Sequence, residues 1–201
     1  GHFYGVGLIN WWDPAGTRAT LTELKSLGLK TFLLPLNPGK DDEGNIYEYG
    51  STDMDAVWDE IEAADVVVHA GDWVDLATFE ALRERSRRLV CVWGNNDGPE
   101  LRAEMPETAH WELEGLRWAM THETGAKQGR EKRMDAAFPD TDVLVFGHSH
   151  IPWDTVAPSG MRLLNPGSPT DRRRQPHCTY MRVTADAGSL TDVELVELPR
   201  R

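Results

Sequence analysis

A chain of 201 residues fits one domain that can bury a core without disulfide or metal staples. Its net charge of −12 excludes a binder of nucleic-acid backbones, which needs a basic face, and leaves an anionic substrate in need of bound cations. Cys91 and Cys178 are too few for a disulfide framework and indicate a reducing, cytoplasmic setting; no apolar run approaches roughly 18 residues, so no membrane partner is expected.

Tyr4–Trp12 is mostly apolar and reads as a strand, and Asp13-Pro14 turns the chain. Thr17 can cap a helix over 18–27, with Leu21, Leu24 and Leu27 on one face and Gly28 as its C-cap. Thr31–Leu36 follows as a strand and completes a β-α-β unit; residues 37–51 are a polar, turn-rich loop. A helix over 55–64, a strand over 65–70, a helix over 74–88 and a strand over 89–93 then follow parallel βαβ logic, with Cys91 as a core filler. Arg83, Arg85, Arg87 and Arg88, near the end of the second of these helices, read as a solvated face suited to the macrodipole. The pattern then changes to a hairpin, 109–113 with 116–121, turning at Glu114-Gly115. A helix over 126–137 leads to a strand over 142–146. Two more hairpins pair 152–157 with 161–164 and 178–184 with 191–198, around Pro158-Ser159-Gly160 and Asp186-Ala187-Gly188. The class is α/β with mixed sheets.

Four of these strands end in residues that bind metals. They run into Gly71-Asp72, Gly94-Asn95-Asn96-Asp97, His122 and Gly147-His148-Ser149-His150. Gly-His-Ser-His alone reads equally well as two loop histidines. The ordered series points instead to a divalent metal of intermediate hardness, which takes carboxylate, amide oxygen and imidazole together. Asp72 has two oxygens with which to bridge two ions, and Asn95 adds an oxygen without charge. Two ions about 3.5–4 Å apart clamp a phosphoryl group and lower the pKa of a bridging water to about 7.

The same series resembles the calcineurin-like metallophosphoesterases. Asn165-Pro166-Gly167-Ser168 is similar to the small single-domain bacterial and archaeal phosphodiesterase branch of that family, and the likeness covers about residues 55–201. The resemblance implies a β-sandwich flanked by helices over the single domain 1–201, with a dinuclear site. It implies two divalent ions, Mn2+ first and Fe, Zn, Ni or Mg as alternatives, and a small phosphoester substrate. Asp72 would bridge, Asn95, His122 and His148 would complete one ion, and His150 would serve the other. Asn96 stands where many members carry a histidine that assists the leaving group; an amide donates a hydrogen bond but is no general acid. Asp97 would orient its neighbours, and Asn165 and Ser168 would line the site, their alternative role being a tight Pro-Gly turn. Self-association is left open.

The front of the chain departs from the family, which opens on a strand ending in Asp-x-His. No Asp-x-His exists in this chain. Asp13 can replace one ligand or simply start a turn. Residues 1–57, an atypical β-α-β segment, instead resemble part of a decarboxylase-related amidohydrolase through Asn10-Trp11-Trp12-Asp13-Pro14, Leu27-Gly28-Leu29-Lys30 and Asp53…Trp58. A chimeric junction would fall near Val57–Ala64. The alternative to a phosphodiesterase is therefore a catalytically impaired or silent scaffold on the same fold, similar to the scaffold subunit of eukaryotic retromer. His69, His177 and Arg172–Arg174 read as strand, strand-edge and solvated-loop residues.

Overall fold

The structure is a computed structural model and describes residues 31–33, 52–73 and 75–198. Strand Tyr4–Trp12, helix 18–27, Asp13 and the loop 37–51 lie outside the described residues. Ten strands are described: β1 (Thr31–Leu33), β2 (Val67–His69), β3 (Leu89–Cys91), β4 (Thr108–Leu113), β5 (Leu116–Thr121), β6 (Val143–Phe146), β7 (Trp153–Val156), β8 (Arg162–Asn165), β9 (Thr179–Asp186) and β10 (Ser189–Glu197). The described helices are α1 (Thr52–Ala63), α2 (Leu76–Arg85), α3 (Pro99–Glu104) and α4 (Arg130–Ala137).

Period-2 alternation sorts the strands into two five-stranded sheets, ordered β10-β9-β1-β2-β3 and β4-β5-β6-β8-β7. Val66, Val68, Val92, Met181 and Val183 of the first sheet meet Trp111, Trp118, Met120, Val143, Val145 and Leu164 of the second in one buried cluster. The molecule is therefore a sandwich of two mixed sheets. The alternate residues face outward under helices. Val67 and Tyr180 join Val57, Trp58, Ile61, Phe79 and Leu82 on one flank, while Ala119, Leu144, Phe146 and Leu163 meet Met134 on the other. Both faces of β6 are buried, which is why Val-Leu-Val-Phe is apolar without alternation.

Local chemistry sets the boundaries. The Asp75 carboxylate accepts from the Thr78 N–H at 2.7 Å, so α2 starts at Leu76 rather than at 74, and it stops at Arg85 rather than at 88. Gly129 takes the left-handed conformation (φ 69°) and Arg133 ties the carbonyls of Thr124, Ala126 and Gln128, so the helix expected from 126 begins at Arg130. Glu114 and Gly115 (φ 51° and 78°) make the primed turn expected between β4 and β5. Helix α3 was not anticipated; Pro99 at its first position starts it, and Leu101 buries it. Strand β8 lies parallel beside β6, which leaves β7 on the sheet edge.

The arginine cluster is not simply solvated. Arg85 pairs with Glu62 at 3.0 Å and stacks on Trp58, and Arg87 pairs with Asp65 at 3.1 Å. Cys91 is half-buried, and burial pushes its thiol up to about 12. Among the described residues no helix is long and apolar enough to cross a membrane.

Candidate metal centre

β2, β3, β5 and β6 all send their carboxyl ends to one end of the sandwich. Two belong to each sheet, so the loops that follow meet across the gap between sheets. Gly71 (φ 95°) and Asp72 (φ 66°) bend the chain after β2, and His148 (φ 65°) and His150 (φ 57°) do so after β6. Left-handed backbone at a non-glycine residue costs of order 1–3 kcal/mol and gathers at functional sites. Here it takes His148 and His150, which an extended chain would line up on one face, off the strand path.

The loops pack too tightly for side chains at the glycines. A Cβ on Gly94 would strike Asp72 Oδ1 and lie 2.5 Å from Asp72 N and 2.8 Å from His122 Cε1. Asp97 clips this junction, its Oδ2 accepting from the Asp72 N–H at 3.0 Å and the Gly94 N–H at 2.7 Å. Arg102 of α3 closes it from outside by donating to the Asp97 carbonyl at 2.8 Å while stacking on Trp93.

Four donor atoms converge inside this frame. Asn95 Oδ1 lies 3.0 Å from His122 Nε2 and 2.8 Å from His148 Nδ1. The two ring nitrogens are 3.2 Å apart, and Asp72 Oδ1 is 3.4 Å from His122 Nε2. Asp72, His122 and His148 thus form a group able to hold a metal ion. His122 Nδ1–H donates to the Ala70 carbonyl at 2.6 Å, which directs the Nε2 lone pair inward, as histidine ligands require. One carboxylate oxygen, one amide oxygen and two imidazoles suit Mn2+, Fe2+ or Zn2+, so the residues present fit a divalent cation.

The electrostatics are those of a buried pair. Burial opposes the Asp72 charge, but the His122 ring and the Asn96 donors outweigh it and hold the carboxyl at about 2. Burial likewise pulls His122 down, and the Asp72 carboxylate more than reverses this, so its pKa is raised. Asn96 donates twice to Asp72, from its backbone N–H to Oδ1 at 3.0 Å and from Nδ2 to Oδ2 at 2.9 Å.

The remaining expected residues form an adjoining layer. His150 is buried; its Nδ1–H donates to the Asp171 carbonyl at 2.7 Å, and burial lowers its pKa, leaving the ring neutral near pH 7. Asn165 is fully buried, donating to the Gly147 carbonyl at 2.8 Å and accepting from the Gly167 N–H at 2.9 Å. Ser168 Oγ accepts from the Asp171 N–H at 3.1 Å and so reaches His150 through the backbone of Asp171. Neither Asn165 nor Ser168 hydrogen-bonds the Asp72–His122 group. His69 is buried in β2, stacked on Trp73. His177 pairs with Glu197 at 3.7 Å, and Arg172–Arg174 are exposed.

Three neighbours went unnoticed in the sequence: Arg102, Asp171, and Glu123, whose Oε1 lies 3.9 Å from His148 Nε2. Glu123 directly follows His122, and Asp171 follows the Ser168 turn, so adjacency was the only available signal.

The chain belongs to the calcineurin-like phosphoesterase superfamily, whose domain profile matches residues 51–188. Over 116 residues it is 31% identical to a probable metallophosphoesterase of Methanocaldococcus jannaschii, covering 57% of this chain and 58% of that protein. The match therefore spans less than two thirds of that relative. In fold it resembles Vps29 of Chaetomium thermophilum, with a TM-score of 0.64, 17% identity, and 85% of this chain and 96% of that one covered. It also resembles an archaeal phosphodiesterase, with a TM-score of 0.61, 16% identity, and coverage of 83% and 99%.

Proposed function

We propose that this chain is a metal-dependent hydrolase of phosphodiesters, with a small cytoplasmic phosphoester as substrate. The observation that carries this is the convergence of Asp72 Oδ1, Asn95 Oδ1, His122 Nε2 and His148 Nδ1 from strand ends of both sheets. These four would hold the ion, with Mn2+ as first choice. A bound divalent ion supplies Lewis-acid polarisation of a phosphoryl oxygen and acidifies water for attack. The protein supplies the rest: Asp97 and Arg102 fix the Asn95–Asn96 turn, the Ala70 carbonyl sets the His122 tautomer, and the Asn96 amide donates without protonating a leaving group. A diester brings a single negative charge, which suits a chain of net charge −12 better than a monoester does. The likeness to the archaeal phosphodiesterase supports the same choice.

The test is Mn2+-dependent hydrolysis of bis(p-nitrophenyl) phosphate by the intact chain. Asp72→Asn and His148→Ala should each reduce turnover to background; unchanged turnover in either would overturn the proposal. A second reading, a silent scaffold on this fold, is favoured by the residues after β1. Leu34-Pro35-Leu36-Asn37-Pro38-Gly39-Lys40 contain no carboxylate and no imidazole. Robust Mn2+-dependent turnover would exclude it.

A further inference from the structure

We infer that His69 positions the metal-binding histidine His122 through the one peptide group that joins Ala70 to Gly71. This rests on the metal-dependent reading above. That peptide group is held at both ends. Its N–H, on Gly71, donates to His69 Nδ1 at 3.1 Å. Its carbonyl, on Ala70, accepts from His122 Nδ1–H at 2.6 Å. The two imidazoles stand at strand ends of different sheets, β2 and β5, and grip opposite sides of a single planar unit. Beyond it, His122 Nε2 faces Asn95 Oδ1 at 3.0 Å and Asp72 Oδ1 at 3.4 Å.

Two effects pass along this series. Because the peptide is planar, fixing the direction of its N–H also fixes its carbonyl, and with it the bond that orients the His122 ring. Hydrogen bonds in series also polarise one another, by about 10–30% per bond. An acceptor at Gly71 N–H makes the Ala70 oxygen more negative, and His122 becomes a more basic ligand. His69 is held for this task. It is fully buried, and its ring stacks on Trp73 at 3.6 Å between centroids, with 22° between the planes. Trp73 is anchored in turn, donating Nε1–H to the Val92 carbonyl at 3.0 Å and meeting Phe79 edge-on. Accepting at Nδ1 requires a neutral ring with its proton on Nε2. Gly71 (φ 95°) lets the peptide approach closely, for a Cβ there would lie 2.7 Å from His122 Nδ1. Packing alone would be served by an apolar residue, which has no polar atoms to desolvate.

The experiment compares His69→Asn with His69→Leu. An asparagine can accept from the N–H two residues on, and leucine cannot. Both lose the ring stacked on Trp73. Calorimetric titration of the intact chain with Mn2+ should show a dissociation constant about tenfold higher or more in His69→Leu, and largely restored in His69→Asn. An unchanged constant in His69→Leu, or equal loss in both variants, would overturn the inference and leave His69 a packing residue. Nuclear magnetic resonance of the metal-free chain gives a second readout. The His122 Nδ1–H proton should move upfield in His69→Leu and return in His69→Asn; a proton that stays in place in His69→Leu would also overturn it. The wild-type chain needs no variant to fold: scalar coupling across the hydrogen bond should join the Gly71 backbone nitrogen to His69 Nδ1, and its absence would break the series at its first step. If the wild type takes up no Mn2+, the metal-dependent reading falls, and the His122 proton still decides whether His69 acts on that ring.

Discussion

Asp72 is a buried carboxylate held charged by the His122 ring and the Asn96 donors. Its carboxyl is held at about 2 against an ordinary value of 3.8, a difference worth about 2 kcal/mol of folding stability in the metal-free chain. A depressed carboxyl stabilises above its unfolded pKa, and that stability is lost as pH falls towards the folded one. Chemical denaturation of metal-free protein should therefore show unfolding free energy dropping by about this amount between pH 4 and pH 2. The limb should be missing in Asp72→Asn. His122, raised by the same pair, works in the opposite sense: its contribution is full below its unfolded pKa of 6.5 and fades as pH rises through the folded value.

At the scale of elements, the turns matter more than the strands they join. A methyl group at Gly94 would occupy space held by Asp72 and His122. Gly94→Ala should cost about 2 kcal/mol in a urea titration and abolish Mn2+ binding, because relief requires the carboxylate to move. On the far flank, Arg130 at the start of α4 lies between the rings of Phe146 and Trp153, almost wholly buried. Its Nε has no hydrogen-bond partner, and no ion pair reaches it among the described residues. A buried cation that feels Glu131 only through its charge, with no hydrogen-bonded pair, is weak stabilisation, so Arg130→Met should match or exceed the wild-type urea midpoint.

These elements also mark how far the sequence could be read. Gly-Asp, Gly-Asn and Gly-His at the ends of apolar runs marked both the strands and the residues whose donor atoms converge. The six-residue α3 is too short for periodicity, though Gly98-Pro99 was a start signal. The double grip of Asn96 on Asp72 was not legible, because it depends on two successive left-handed residues, Gly71 and Asp72. Nor could patterning say that Thr31–Leu33 inserts between β9 and β2, since that pairing joins residues far apart in the chain.

For the whole molecule, the order of assembly follows from where the converging donor residues originate. Asp72 and Asn95 come from one sheet, His122 and His148 from the other. The sheets are joined at this end by the His122–Ala70 hydrogen bond and by the contacts of His122 and His148 with Asn95 and Asp72, and elsewhere by apolar side chains and by the Gly188 N–H, which donates to the Glu114 carbonyl. A bound ion would act as a rivet through both layers, one that can be driven only after the layers have met. It should add to the barrier for coming apart and leave the barrier for coming together unchanged. Stopped-flow measurements with and without Mn2+ should show slower unfolding and equal refolding rates, whereas faster refolding would mean that the rivet is set early. A protein built this way registers metal scarcity as a shorter lifetime in the folded state.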